Sequence, residues 1–117
     1  MTAARRFGIG RRIVIRSAPV IDGEHPDYSV GEKGIAIGHV RTLQGIDGKR
    51  AGVLLVVLMD APGPDRVRLV ESMDAMPMGM SIASRDHVPF AWYRMAAAAI
   101  AGHWSRVADQ WERSGLA

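Results

Sequence analysis

A small β-barrel of about five short strands, followed by one long C-terminal helix, is the fold this sequence predicts. Three observations carry it. Ile13 and Ile15 alternate with Arg12, Val14 and Arg16, and Val67 and Leu69 with Arg66 and Arg68, the period of a half-buried strand. Val53 to Met59 is apolar without alternation and rich in Val and Leu, so it is expected to be the most buried strand, covered on both sides. After Pro89 the pattern changes to an alanine-rich segment with apolar residues at steps of three and four, the mark of an amphipathic helix.

The elements follow in order. Residues 1–8 lack periodicity and form a flexible basic tail. The first strand is expected from Ile9 to about Ala18, with Ile13 and Ile15 inward and Arg12, Val14 and Arg16 outward. Asp22 to Pro26 is dense in turn formers, and Gly31 and Gly34 continue the punctuation. A second strand runs from Ile35 to Val40, where Gly38 suggests a bulge or a close backbone approach. Gln44 to Gly52 reads as a loop and Asp60 to Asp65 as a tight turn. In the strand that follows, Val67 and Leu69 face inward. Ser72 to Ser84 is rich in methionine, with a short turn or a last strand expected around Met80 to Ala83. The barrel thus spans 9–84. The helix spans 86–115, capped by Asp86 and closed by Gly115. Its stripe is Tyr93, Ala97, Ile100, Trp104, Val107 and Trp111, expected to lie on the barrel or on a partner.

At 117 residues the chain supports one core, not two. It has no cysteine, which excludes disulfides, thiolate metal sites and cysteine nucleophiles. No stretch approaches the ~20 apolar residues of a membrane span, so a cytoplasmic protein with no membrane contact is expected. The net charge of +3 is uneven. Arg5, Arg6, Arg11, Arg12 and Arg16 all precede the first acid, Asp22, and everything after residue 16 sums to −2. The basicity belongs to an N-terminal arm and not to the domain.

With the strands placed, their order resembles the SH3-like barrels of accessory subunits. These are the β subunit of nitrile hydratase, the variable chain of ferredoxin–thioredoxin reductase, and small photosystem I and nitrogenase-associated relatives. Gly10-Arg11-Arg12-Ile13-Val14-Ile15 is similar to their opening G-D-x-V-x-V strand, with Arg11 in place of the aspartate. Pro26, Tyr28, Gly31 and Gly34 match a P-x-Y-x-x-G-x-x-G pattern. The resemblance covers about residues 7–76, roughly 60% of the chain. It implies an SH3-like barrel that is non-catalytic, carries no cofactor of its own, and packs beside a larger partner bearing a metal or cluster.

Candidate chemistry is sparse. The arginine arm, Arg5, Arg6, Arg11, Arg12 and Arg16, suits phosphates, yet only Phe7 and Tyr28 outside the helix could stack on bases. Met73, Met76, Met78 and Met80, with His87 beyond, offer soft thioether ligands for Cu(I); methionine also fills cores and adaptable interfaces. The four histidines show no ligand spacing, and His25, between Glu24 and Asp27, is the one place for acid–base chemistry. No serine sits in a nucleophile elbow, and Gly31, Gly34 and Gly38 do not join a strand to a helix. Trp104 and Trp111 either close the barrel mouth or meet a partner. Ala96 to Ala99 with Ala101 and Gly102 form a second smooth helix face. The expectation is a non-catalytic accessory module docking on a larger protein or inhibiting it, with a homodimer through the helix also open. Pro26, Tyr28, Leu43, Gln44, Trp104 and Trp111 would make the contact. A small nucleic-acid-binding barrel is the alternative.

Overall fold

The computed structural model describes residues 8–20, 23–41, 52–63, 65–79, 88–113 and 115. Among the described residues there are five strands: β1 (Arg11–Ile15), β2 (Lys33–Arg41), β3 (Val53–Met59), β4 (Val67–Glu71) and β5 (Ala75–Met78). One helix follows, α1 (Phe90–Arg113). All pairings are antiparallel, in the order β4-β3-β2-β1-β5.

That order forces curvature. β4 and β5 lie on opposite edges, yet a single 3₁₀ turn, Ser72–Asp74, joins them. Four interstrand steps in a flat sheet would separate them by ~19 Å. The chain from Glu71 to Ala75 reaches at most ~14 Å fully extended, and a 3₁₀ turn reaches less. The sheet must therefore curl until its edges approach. It stays open, with no β4–β5 pairing among the described residues.

Curling creates two apolar faces, and β3 serves both. Leu55, Val57 and Met59 join Ile13, Ile15 and Val70 inside the curl. Val56 and Leu58 point the other way, to a second cluster with Ile37 and Ala96. The unbroken apolar run of β3 is thus the sequence of a strand covered on both sides, as expected.

The bulge suggested by Gly38 is present. Ala36 pairs with Val57 and Gly38 with Val56, leaving Ile37 as the extra residue. A β-carbon at Gly38 would stand 3.1 Å from that of Ala96, so two small residues let α1 settle onto the bulge. Ala96→Leu is expected to cost about 1–3 kcal/mol, read as a lower denaturation midpoint with helix content retained.

Two elements differ from expectation. β5 falls at Ala75–Met78, earlier than Met80 to Ala83, which lies outside the described residues. The reason is Pro77, which argues against a strand in the middle of a sheet but is tolerated on an edge, and β5 is an edge. The helix begins at Phe90, with Trp92 N–H donating to the Pro89 carbonyl at 3.0 Å, later than the expected start at residue 86. Pro89 disfavours helical geometry at Val88; Asp86, the expected cap, lies outside the described residues. At the other end Gly115 N–H closes on the Glu112 carbonyl at 3.1 Å, as expected of a terminating glycine.

Candidate docking surfaces

Tyr28 is the anchor of the glycine-punctuated turn. Its ring is buried in the inner core, and its hydroxyl donates to Asp74 Oδ2 at 2.6 Å. Ser17 Oγ donates to Asp74 Oδ1, also at 2.6 Å. Asp74 is only 4% exposed, so its two carboxylate oxygens are satisfied by two hydroxyls instead of water. Its backbone carbonyl accepts from Arg16 N–H at 2.8 Å. Burial first, and the bond to Asp74 second, raise the Tyr28 pKa far above its ordinary 10.0. This junction ties the 3₁₀ turn to the end of β1 and to the turn before β2.

The other motif residues also have folding roles. Gly31 takes φ +93°, a left-handed conformation that favours glycine. Gly34 lies where a β-carbon would stand 2.6 Å from the Leu58 carbonyl oxygen and 2.6 Å from Val57 Cγ1. Pro26 is half-buried on the rim of an open cleft of about 310 Å³, which Glu24, His25 and Asp27 also line. Tyr28, expected at a contact surface, lies inside with its hydroxyl committed to Asp74. Leu43 and Gln44 lie outside the described residues.

Of the arginine arm, Arg5 and Arg6 lie outside the described residues. Arg12 forms a bidentate pair with Asp60, both bonds 2.7 Å. The pair raises the Arg12 pKa and lowers that of Asp60. Its stabilisation is therefore present above the ordinary carboxylate range and lost as pH falls through the lowered Asp60 value. For so exposed a pair that is worth about 0.2–1 kcal/mol. Arg16 donates from Nε to the Met73 carbonyl at 2.9 Å. Arg11 is half-buried. Two of the three described arginines thus have partners within the chain.

Met73 is exposed on the 3₁₀ turn and Met76 is fixed in β5; Met80 and His87 lie outside the described residues. Among the described residues no group of three or more His, Asp or Glu could hold a metal ion. Nor, among them, is any helix long and apolar enough to cross a membrane.

The helix holds the largest departure from the sequence pattern. Trp92, Met95, Ala96, Ala99 and Ile100 pack on the outer face of the sheet, against Ile35, Ile37, Val56, Leu58, Val67 and Leu69. Of the six stripe residues, only Ile100 joins that contact. The remainder of the stripe looks elsewhere: Tyr93 is 41% exposed, Trp104 38% and Trp111 37%, and Phe90, in line with them, is 75% exposed. His103 stacks edge-on against Trp104 at 5.2 Å. Burial, and then the charge of Arg106, lower the His103 pKa, which keeps its imidazole neutral at physiological pH. α1 therefore carries two apolar faces, one against the sheet and one outward.

Sequence reasoning passed over Asp74, Ser17, Asp60 and Phe90. An acid flanked by Met73 and Ala75, between apolar segments, was the available signal for Asp74. No family model, curated protein or solved structure matches this chain.

Proposed function

We propose that this chain is a non-catalytic docking module that binds another protein by laying the outward face of α1 along a partner helix. One observation carries this function: Phe90, Tyr93, Trp104 and Trp111 are exposed along a helix whose other face is already occupied by the sheet. Large aromatic side chains held in a row on a rigid helix lose little entropy when buried and dominate interface energetics.

The barrel reading of the sheet is supported by the short 3₁₀ link, which draws its two edge strands toward each other. An accessory role fits the same picture, because the P-x-Y-x-x-G-x-x-G residues serve the fold and leave the helix as the surface for recognition.

Affinity capture of the tagged chain, with and without nuclease, tests this function. A stoichiometric protein that survives nuclease, and is lost with Trp104→Glu while the circular dichroism stays unchanged, is the expected result. Trp104→Glu is expected to weaken binding at least 30-fold, about 2 kcal/mol for a central aromatic anchor. Recovery of nucleic acid instead, lost on deleting the first twelve residues and weakening steeply with salt, would move the function to the arginine arm.

A further inference from the structure

The outward face of α1 is ordered more finely than exposure alone requires. Phe90, Ala97, Trp104 and Trp111 recur every seven residues, and Tyr93, Ile100 and Val107 follow the first three at a distance of three. That is a two-position heptad repeat, with a period of 3.5, which marks a helix meeting another helix along a seam. The sheet-facing set, Trp92, Met95, Ala96, Ala99 and Ile100, is centred roughly 100° away around the helix, and only Ile100, on the border, belongs to both, so the seam is not the face the sheet needs.

We infer that the occupant of this face is α1 of a second copy of the chain, packed antiparallel about a two-fold axis at the level of Gly102. The inference rests on the docking function proposed above and names its partner. In this register Tyr93 meets Trp111 of the other copy, Ala97 meets Val107, and Ile100 meets Trp104; symmetry repeats each pair. Every layer joins one position of the heptad to the other, as antiparallel seams require, and a two-fold interface must be self-complementary in this way.

Charge selects the direction. Arg94 and Glu112 are eighteen residues apart, five full turns, and so occupy the same flank of the helix. Both are exposed. Antiparallel packing brings Arg94 of one copy within two residues, ~3 Å along the axis, of Glu112 on the other, and does so twice. Parallel packing about a two-fold would put the two Arg94 side chains on opposite flanks of the seam and about five turns from either Glu112, so both of these opposite-charge pairs would be lost.

The absence of cysteine from the chain makes the register directly testable. Ala97→Cys and Val107→Cys variants of the full chain are prepared separately, then mixed under mild oxidation. A covalent dimer on mixing, with none from either variant alone, is the expected result, because only the 97–107 pair comes within disulfide reach. Sedimentation equilibrium of the parent chain is expected to give twice the chain mass of 12.7 kDa. Arg94→Glu and Glu112→Arg are each expected to weaken that dimer severalfold, and the double variant to restore it.

Cross-linking of Ala97→Cys with itself would indicate a parallel seam and overturn the inference. So would a dimer whose dissociation constant is unmoved by Trp104→Glu and by both charge reversals. A monomer up to about 1 mM would overturn self-pairing too. Docking would survive that result if affinity capture still gave a protein lost with Trp104→Glu, and would fall with it if none was found.

Discussion

Replacing Gly34 by alanine is expected to lower the stability of the fold by about 3 kcal/mol. The methyl group would meet the Leu58 carbonyl oxygen at 2.6 Å, Val57 Cγ1 at 2.6 Å and Met59 Cα at 3.1 Å. Two of those three atoms belong to the backbone of β3. A flexible side chain could swing aside; a strand buried on both faces cannot. Relief would require β2 and β3 to separate at the Gly34–Met59 pair, where Gly34 also faces Ile13 of β1. The measurement is denaturant unfolding of the two proteins. A fall in midpoint with an unchanged slope is expected, since the unfolded chain barely differs. Gly31→Ala provides the comparison. Its added methyl meets nothing within 4 Å, and only the positive φ is strained, so the cost is expected nearer 1 kcal/mol. Equal losses at both positions would mean that contact with β3 is not the cause.

The second large effect is at Asp74. Asp74→Ala removes the acceptor for the Ser17 and Tyr28 hydroxyls and leaves the Tyr28 hydroxyl in the core with only a long 3.4 Å contact from Glu71 N–H. A loss of about 3 kcal/mol is expected. Tyr28→Phe removes one of the two donors and is expected to cost about 1–2 kcal/mol. The double variant should lose less than the sum, because the two share one bond.

Alkaline pH separates this bond from mere packing. The folded pKa of Tyr28 lies above its unfolded value near 10.0, so its contribution is complete below the unfolded value. It is lost as pH rises from there through the folded value, where folding holds a proton that the unfolded chain releases. Stability of the parent protein should therefore fall above about pH 10, and that of Tyr28→Phe should fall less. Parallel alkaline profiles for the two proteins would show that Tyr28 is not the titrating group.

How much of this was legible in the sequence depends on which physical signal each element carries. β3 was readable because a strand covered twice must be apolar throughout. Gly38 was readable because a glycine inside a strand pattern marks a bulge or a close backbone approach. The position of β5 was not, because Pro77 excludes a central strand but not an edge strand, and strand order is not written locally. The helix was readable and its sheet-facing side was not. Two apolar stripes share Ile100, and the stripe containing the larger exposed aromatics is the one the sheet leaves uncovered. Ala96 wins the inner position through its small size opposite Gly38, a contact no periodicity announces. The Tyr28–Asp74–Ser17 junction was invisible for a related reason. Its members lie 46 and 57 residues apart, and only the curl of the sheet brings them together.

Pro77 has a consequence beyond the placement of β5. Arg16 N–H donates to the Asp74 carbonyl, whereas Ile15 N–H turns to Glu32 on the β2 side. By the alternation of an antiparallel ladder, Val14 and Arg12 also turn toward β5, where Met76 and Met78 stand opposite them. The nitrogen of Pro77 therefore faces the border of the sheet that no strand pairs with among the described residues, and it carries no hydrogen. A stray strand arriving there would find a gap in the row of donors it needs to dock. That gap works against open-ended growth from this edge of the sheet, of the kind that builds fibrils, and the two-fold seam proposed for the helix would likewise close after two copies.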